Sequence, residues 1–125
     1  MSQSLPEVSI VTCHHTGELL FDFIDSIQKS FGPSYELIVM TSSETLASEG
    51  IANCTVIHST DLPASKRNIG AKLAKGRYIA FFDDDVTVNN DCLHVFFQFL
   101  EINPKVSMVY GKLYNMEHRD RLDEA

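Results

Sequence analysis

Short apolar segments rich in β-branched residues alternate with segments whose apolar residues recur at helical spacing, and this alternation limits the possible folds more than any other feature. The predicted strands cover residues 8–13, 35–40, 54–58, 78–82 and 106–110. The predicted helices lie within residues 18–31, 61–76 and about 90–104, with a weak helical turn at 46–49. In the second of these, Asp61 or a neighbour is expected to cap the start and Gly76 to take the left-handed position at the end, with Ile69 and Leu73 on one face. Strands that alternate with helices are joined by right-handed crossovers. The sequence therefore predicts an α/β fold with a mostly parallel sheet.

The composition is typical of one globular domain. The chain has 125 residues, of which 44% are hydrophobic and 22% are charged, and the residues from about His118 have the character of a polar tail. A formal net charge of −7 argues against nucleic-acid binding, which needs a basic face. No apolar stretch approaches the roughly 20 residues of a membrane span. The three cysteines are widely spaced and form neither a disulfide framework nor a zinc pattern, so we expect a reduced, cytoplasmic setting.

A run of three aspartates follows the predicted strand at 78–82 directly. Three adjacent like charges repel one another, so a cation should neutralise them. In open α/β sheets ligands collect at the carboxyl ends of the strands, and Mg²⁺ is commonly held by one or two carboxylates plus phosphates. Asp83 and Asp85 point the same way on an extended chain and are the predicted metal ligands, which leaves Asp84 free for a sugar hydroxyl. The alternative is a solvated acidic turn that ends the strand and caps the next helix.

Positive charge is concentrated just before these carboxylates. Five of the ten Lys and Arg residues lie between positions 66 and 77. Lys66 and Arg67 fall in the first turns of a predicted helix, where free N–H groups and the helix dipole favour anions. Arg67 is the preferred candidate, because its planar fork suits a phosphate or a base edge. Gly70 in mid-helix costs about 1 kcal/mol against alanine and indicates close backbone packing.

The first two strands end in polar residues that have two possible uses. No third and fourth ligands stand at a standard spacing from Cys13, His14 and His15, which argues against a metal site there. They form either a strand-end turn or, for one imidazole, a flat surface against a base. The hydroxyls of Thr41 and Ser42 can satisfy local backbone groups or reach a nucleoside, and the sequence does not decide between these.

Three pieces of the sequence occur together in a characteristic order: the strand at 8–12, the helix motif Arg67-Asn68-x-Gly70 and the run at 76–85. Together they resemble the nucleotide-sugar-binding half of family 2 glycosyltransferases with the GT-A fold, over a range from about Val8 to Tyr114. The resemblance implies a three-layer α/β/α sandwich with a Rossmann-like nucleotide-binding half. It also implies that residues 1–125 form a single nucleotide-diphospho-sugar-binding domain.

The resemblance implies roles for several residues. Asp83 and Asp85 match the DxD motif that holds Mg²⁺ or Mn²⁺ against the diphosphate of a nucleotide sugar, and Asp84 belongs to the same nucleotide-sugar site. Arg67 matches an arginine near the base. The implied chemistry is transfer of the sugar from the donor to an acceptor that the sequence does not identify.

Further roles concern the ends of the first two strands. By the resemblance, Cys13, His14 and His15 occupy the loop that cradles the base, with His15 at an aromatic position. Thr41 and Ser42 stand where the family commonly has an acidic pair that binds the nucleoside, which is a departure. A second departure is length: family members are considerably longer, so we expect the acceptor half and its general base to be absent.

The resemblance thus implies a donor-binding domain, and whether the chain alone is an enzyme is left open. The alternative is a non-catalytic nucleotide- or metal-binding regulatory module, for which the missing acids after the second strand would be the sign. A phosphoryl-transfer or signalling domain is disfavoured, because it would need acids after the first strand. We also expect self-association through an exposed edge of the sheet.

Overall fold

The computed structural model describes residues 4–111 and shows a four-stranded sheet with helices on both faces. The strands are β1 (Val8–His14), β2 (Tyr35–Thr41), β3 (Cys54–His58) and β4 (Tyr78–Phe81). The helices are α1 (Leu19–Gln28), α2 (Pro63–Leu73) and α3 (Cys92–Ile102). The strand order is β3-β2-β1-β4, and every neighbouring pair is parallel. The predicted α/β class with three layers is confirmed.

Helices α1 and α3 cover one face of the sheet. The register pairs Ile10 of β1 with Leu37 of β2, and both are almost fully buried beneath Phe23 of α1 and its neighbours. The buried members of this core are Val8, Ile10, Leu20, Phe23, Ile24, Ile27, Leu37, Val39 and Leu93. Each such side chain contributes roughly 1.5–3 kcal/mol when it leaves water. This apolar layer therefore holds α1 and the two central strands together.

Helix α2 lies on the other face and runs opposite to the strands. At its start, the Cys13 thiol near the end of β1 donates a hydrogen bond to the Pro63 carbonyl at 3.7 Å. After its end, the Gly76 N–H donates to Ser9 Oγ near the start of β1 at 2.7 Å. The N-terminus of α2 therefore lies at the carboxyl edge of the sheet.

Two glycines allow this close approach. A Cβ on Gly70 would lie 2.6 Å from Val11 Cγ1, so the predicted close packing of α2 is confirmed. Gly76 was expected to adopt a left-handed conformation after the helix. That expectation is wrong, because the glycines with positive φ in the described chain are Gly17, Gly32 and Gly50. Gly76 is needed for space instead, since a Cβ there would lie 2.6 Å from the Ser9 backbone nitrogen.

Several predicted element boundaries are wrong. Residues 106–110 form no strand, because no neighbouring strand within the described residues pairs with their backbone, and Met108 and Tyr110 are exposed. No helical turn forms at 46–49. Helix α1 begins at Leu19 and ends at Gln28, three residues short of the predicted end.

The remaining expectations concern the chain end and membranes. The predicted polar tail from about position 118 lies outside the described residues. Within residues 4–111, no helix is both long enough and apolar enough to cross a bilayer.

Candidate functional site

The polar residues singled out from the sequence gather at the carboxyl edge of the sheet. Because all four strands are parallel, their ends meet at one edge, and the antiparallel α2 brings its first turn to the same place. A cavity of about 250 Å³ opens there. Its lining residues are Val11, Cys13, Pro63, Arg67, Phe82, Asp83, Asp84 and Asp85. The fold thus brings together five of the predicted site residues from β1, α2 and the segment after β4.

The three aspartates after β4 alternate in exposure. Asp83 and Asp85 are exposed and Asp84 is partly buried, as expected for an extended segment with two side chains on one side and one on the other. Partial burial raises the pKa of Asp84, the charges of Asp85 and Asp83 add to that rise, and His14 opposes it. The site therefore concentrates negative charge on one wall.

Arg67 also lines this cavity. It lies in the second turn of α2, on the exposed side of the helix. Burial raises the pKa of the nearby Cys13 thiol, whereas the charges of Arg67 and Lys66 pull it down. A thiol with a raised pKa is a poor nucleophile near neutral pH. Cys13 is thus a polarizable part of the cavity lining.

The described residues form no complete metal site from protein side chains alone. In the part of the chain between positions 4 and 111, no three His, Cys, Asp or Glu side chains converge in a way that could hold a metal ion. Asp83 and Asp85 supply hard oxygen donors at an open cavity, and Mg²⁺ usually completes such a pair with water and substrate phosphates. The donor set fits a hard divalent cation only together with a ligand that brings further oxygens.

His14 and Thr41 form a buried hydrogen-bonded pair between β1 and β2. The Nδ1 atom of His14 lies 2.8 Å from Thr41 Oγ1, and Nε2 lies 3.1 Å from the Gly17 carbonyl. A carbonyl can only accept, so Nε2 carries the proton. Thr41 Oγ1 also accepts the Ser43 N–H at 2.9 Å. Neither side chain lines the cavity, and direct contact with a nucleotide stays a prediction.

His15 and Ser42 are the next residues along each strand, and they behave differently. They are hydrogen-bonded to each other through His15 Nδ1 and Ser42 Oγ, but His15 is exposed and Ser42 is half-buried. The imidazole face of His15 is therefore open to solvent at the carboxyl edge. This placement is compatible with the predicted surface for a base.

A second cavity, of about 420 Å³, lies at the ends of β2 and β3. It is lined by Ser42, Glu44, His58, Ser59, Thr60 and Asp61. Asp61 or a neighbour was expected to cap α2; the residue at the cap position is the neighbour Leu62, and no side chain caps the helix. Sequence reasoning did not single out Glu44 and Asp61 as site residues. The signal it could have used is that both follow strands that end at the carboxyl edge.

Lys66 is the other residue whose placement the sequence did not predict. Only 5% of its surface is exposed, whereas Leu73, expected on the apolar face of α2, is 47% exposed. The available signal was spacing: Lys66 stands one turn before Gly70, and residues four apart share a helix face. The sheet-facing side of α2 therefore contains a lysine.

Comparison with known proteins identifies the family. The model of Glycosyl transferase family 2 matches residues 9–124, which is nearly the whole chain. The chain belongs to glycosyl transferase family 2. The family membership expected from the sequence motifs is confirmed.

One curated protein and two solved structures are similar to this chain. Glycosyltransferase GlyG from Streptococcus pneumoniae serotype 4 is 25% identical over 121 residues, covering 89% of this chain and 40% of GlyG. The crystal structure of S. aureus TarS matches 88% of this chain with a TM-score of 0.69 at 19% identity, over 23% of TarS. A shorter TarS structure matches 86% of this chain with a TM-score of 0.64, also at 19% identity, over 38% of its length.

The structural matches show the fold of this family 2 chain: its sheet and helices form the Rossmann-like half of a GT-A fold. The chain spans about two-fifths of the length of the curated relative that it matches. The activity of such a longer protein can therefore be extended to this chain only as a proposal.

Proposed function

We propose that this family 2 domain binds a nucleotide-diphosphate sugar together with Mg²⁺ or Mn²⁺ for transfer of the sugar to an acceptor. The observation that carries the proposal is the cavity at the carboxyl edge, which is lined by Arg67 of α2 and by Asp83, Asp84 and Asp85 after β4. A cavity lined by both carboxylates and a guanidinium suits a ligand that has a metal-bound diphosphate at one end and a hydrogen-bonding base at the other.

The charges lining the cavity favour a ligand that brings a cation. Three carboxylates and one guanidinium line it, so a free diphosphate would be repelled by the net negative charge. In the proposed complex, Asp83 and Asp85 hold the cation. Once bound, that cation would neutralise negative charge on the leaving nucleoside diphosphate.

The other predicted residues take supporting roles in this proposal. Asp84 contacts a sugar hydroxyl, and Cys13 forms the floor on which the nucleotide rests. His15 offers its exposed ring to the base. His14 and Thr41 hold the β1 and β2 ends in place beneath it, and Ser42 continues the polar surface toward the second cavity.

A second reading is a non-catalytic nucleotide- or metal-binding regulatory module. The observation that favours it is the pair Thr41 and Ser42 at the end of β2, where hydroxyls stand in place of carboxylates. No residue of this chain is assigned here as the general base that an acceptor hydroxyl would need. Under either reading we propose that residues 1–125 act as one nucleotide-binding domain in a cytoplasmic setting.

Calorimetry tests the donor site. The 125-residue chain is titrated with UDP, GDP, CDP and ADP, each with Mn²⁺ and with a chelator. We expect at least one diphosphate to bind in the presence of Mn²⁺ and to lose most of its affinity with the chelator. The Asp83→Ala, Asp85→Ala double variant should lose the Mn²⁺-dependent signal, on the order of 100-fold in affinity or more.

A matched control separates site chemistry from net charge. Asp22 and Asp25 are exposed aspartates on α1, away from the cavity, and the Asp22→Ala, Asp25→Ala variant removes the same charge. It should bind as the unmodified chain does. If no diphosphate binds with Mn²⁺, or if both double variants lose affinity equally, the donor-site proposal is wrong. Sugar transfer by the chain alone would exclude the regulatory reading.

A further inference from the structure

The outer edge of β4 has no neighbouring strand within residues 4–111. There, β4 pairs with β1 alone. The amides of Tyr78 and Phe82 donate to carbonyls on the β1 side. Because the N–H and C=O groups of successive residues in a strand point to alternate sides, those of Ile79 and Phe81 point outward. The middle of the strand thus offers two donors and two acceptors to a further strand.

The side chains of β4 alternate in the same way. Ile79 and Phe81 are exposed, and so are Arg77 just before them and Asp83 just after them. The register pairs Phe81 with Val11, whose side chain packs under α2, so these exposed side chains lie on the α2 face of the sheet. Along one line, this face presents a cation, two apolar side chains and a carboxylate.

A second copy of the strand complements this line when it runs in the opposite direction. In a symmetric antiparallel pair, Ile79 of one copy lies opposite Phe81 of the other, and the outward N–H and C=O groups of both residues bond to each other. The same register sets Arg77 opposite Asp83 at both ends. Ala80 then lies opposite Ala80 at the centre, in the closely spaced position that carries no hydrogen bonds, where its small side chain fits.

The charges distinguish this register from its neighbours. Since only alternate residues point outward, the register can shift only in steps of two residues. One shift sets Ile79 opposite Asp83, and the other sets Arg77 opposite Phe81. Each places a charge against an apolar side chain, whereas the unshifted register pairs opposite charges and pairs apolar side chains with one another.

Arg77 is able to bind a second carboxylate. Its guanidinium forms an ion pair with Glu101 of α3 and lies over the ring of Tyr78, yet 64% of the side chain is exposed. A guanidinium has five N–H donors, and one carboxylate occupies at most two of them. Asp83 of a second copy can therefore be bound while the pair with Glu101 is kept.

We propose that two copies of this chain associate through their β4 edges, so that two four-stranded sheets become one continuous sheet, with Arg77 of each copy paired with Asp83 of the other. This specifies the edge, the direction and the register of the self-association expected from the sequence. Asp83 lines the cavity at the carboxyl edge, so the second copy contributes a guanidinium to that site. The inference rests on strand pairing and charge, and it does not depend on the proposed function.

A disulfide tests the register. In Ala80→Cys, two thiols face each other where Cα atoms lie about 4.5 Å apart, which is within the range of a disulfide. The chain is oxidised with diamide in EDTA, so that no cation competes for Asp83. We expect most of the Ala80→Cys chain to run as a covalent dimer on a non-reducing gel. The matched control is Thr55→Cys on β3, the other edge strand, and the unmodified chain gives the background of the natural cysteines.

Exchange of charges tests the ion pairs. Arg77→Asp alone sets carboxylate against carboxylate at both ends of the paired strands, and it should weaken association about tenfold or more in sedimentation equilibrium in EDTA. The variant with Arg77→Asp and Asp83→Arg in one chain restores both pairs and should return to within about threefold of the unmodified chain. Lys72→Asp makes the same change of charge on the exposed side of α2 and should have no effect.

Three outcomes would overturn the inference. A chain that stays monomeric at high concentration removes the interface. Crosslinking of Ala80→Cys no stronger than that of Thr55→Cys removes the strand register, and a double charge exchange as weak as Arg77→Asp alone removes the ion pairs. Melting curves identify any variant that does not fold, and if Ala80→Cys is one of them, the charge exchange decides by itself. No nucleotide is present, so the result is separate from that of the donor-site titration.

Discussion

The two sides of the carboxyl edge differ in how many of their polar side chains have hydrogen-bond partners within the described residues. On the β1–β2 side, His14 is bonded to Thr41 and to the Gly17 carbonyl, and His15 is bonded to Ser42. On the β4 side, Asp83 and Asp85 are exposed, and Ile79 and Phe81 of the outer strand are 42% and 52% exposed. On the β1–β2 side, these polar side chains thus have partners within the described chain. The β4 side presents exposed charge and exposed apolar surface.

The difference separates two kinds of residue in the candidate site. Groups on the β1–β2 side hold the ends of the strands in position, so their loss should appear first in stability. The exposed groups on the β4 side, Asp83 and Asp85 with Ile79 and Phe81, should show their loss first in binding or association.

The largest loss of stability is expected for a substitution on the β1–β2 side. His14→Ala removes a buried ring and both of its hydrogen bonds, and we expect the free energy of unfolding to fall by about 2–4 kcal/mol. His15→Ala, one residue along the chain and exposed, should change it by less than about 0.5 kcal/mol. Chemical denaturation of both variants measures the contrast. Equal losses for the two histidines would erase the distinction between the two sides.

The open side predicts self-association. A sheet edge with exposed apolar residues is a template for pairing with another chain, so light scattering should show a mass that rises with concentration. Ile79→Lys places a charge on the outer strand and should weaken association about tenfold or more. Leu19→Lys, an equally drastic change on α1, is the control and should not. A chain that remains monomeric at high concentration would contradict this prediction.

The smallest effect concerns the partly buried aspartate. Partial burial is the main cause that raises the pKa of Asp84, which means that the folded state disfavours its charge. Stability from this group is present below the usual value of 3.8 and is lost as pH rises through the raised pKa. Asp84→Asn should therefore melt slightly higher than the unmodified chain at pH 7, without ligand, and the gain should vanish at acid pH. A lower melting temperature at pH 7 would show that the charge itself stabilises the fold.

The sequence by itself determined the fold class and most of the candidate site. Alternating strand and helix patterns required parallel strands, and parallel strands bring their carboxyl ends to one edge whatever else the chain contains. Asp83, Asp84 and Asp85 could be placed there from their position after a strand, and Arg67 from its position at the start of a helix. The apolar face of α1 could also be predicted, because helical spacing alone defines which residues share a side of the helix.

Only the tertiary structure decided which groups have partners. The alternating apolar residues at 106–110 are a good strand pattern, yet a strand also needs a neighbour for its backbone, and the described chain provides none. His14 and Thr41 are far apart in sequence, and only the register of β1 with β2 makes them a pair. Lys66 was expected at the start of a helix where anions are favoured, and only the close contact at Gly70 shows that its side chain lies buried against the sheet. Such outcomes depend on which surfaces meet across the fold, a property that local sequence patterns do not contain.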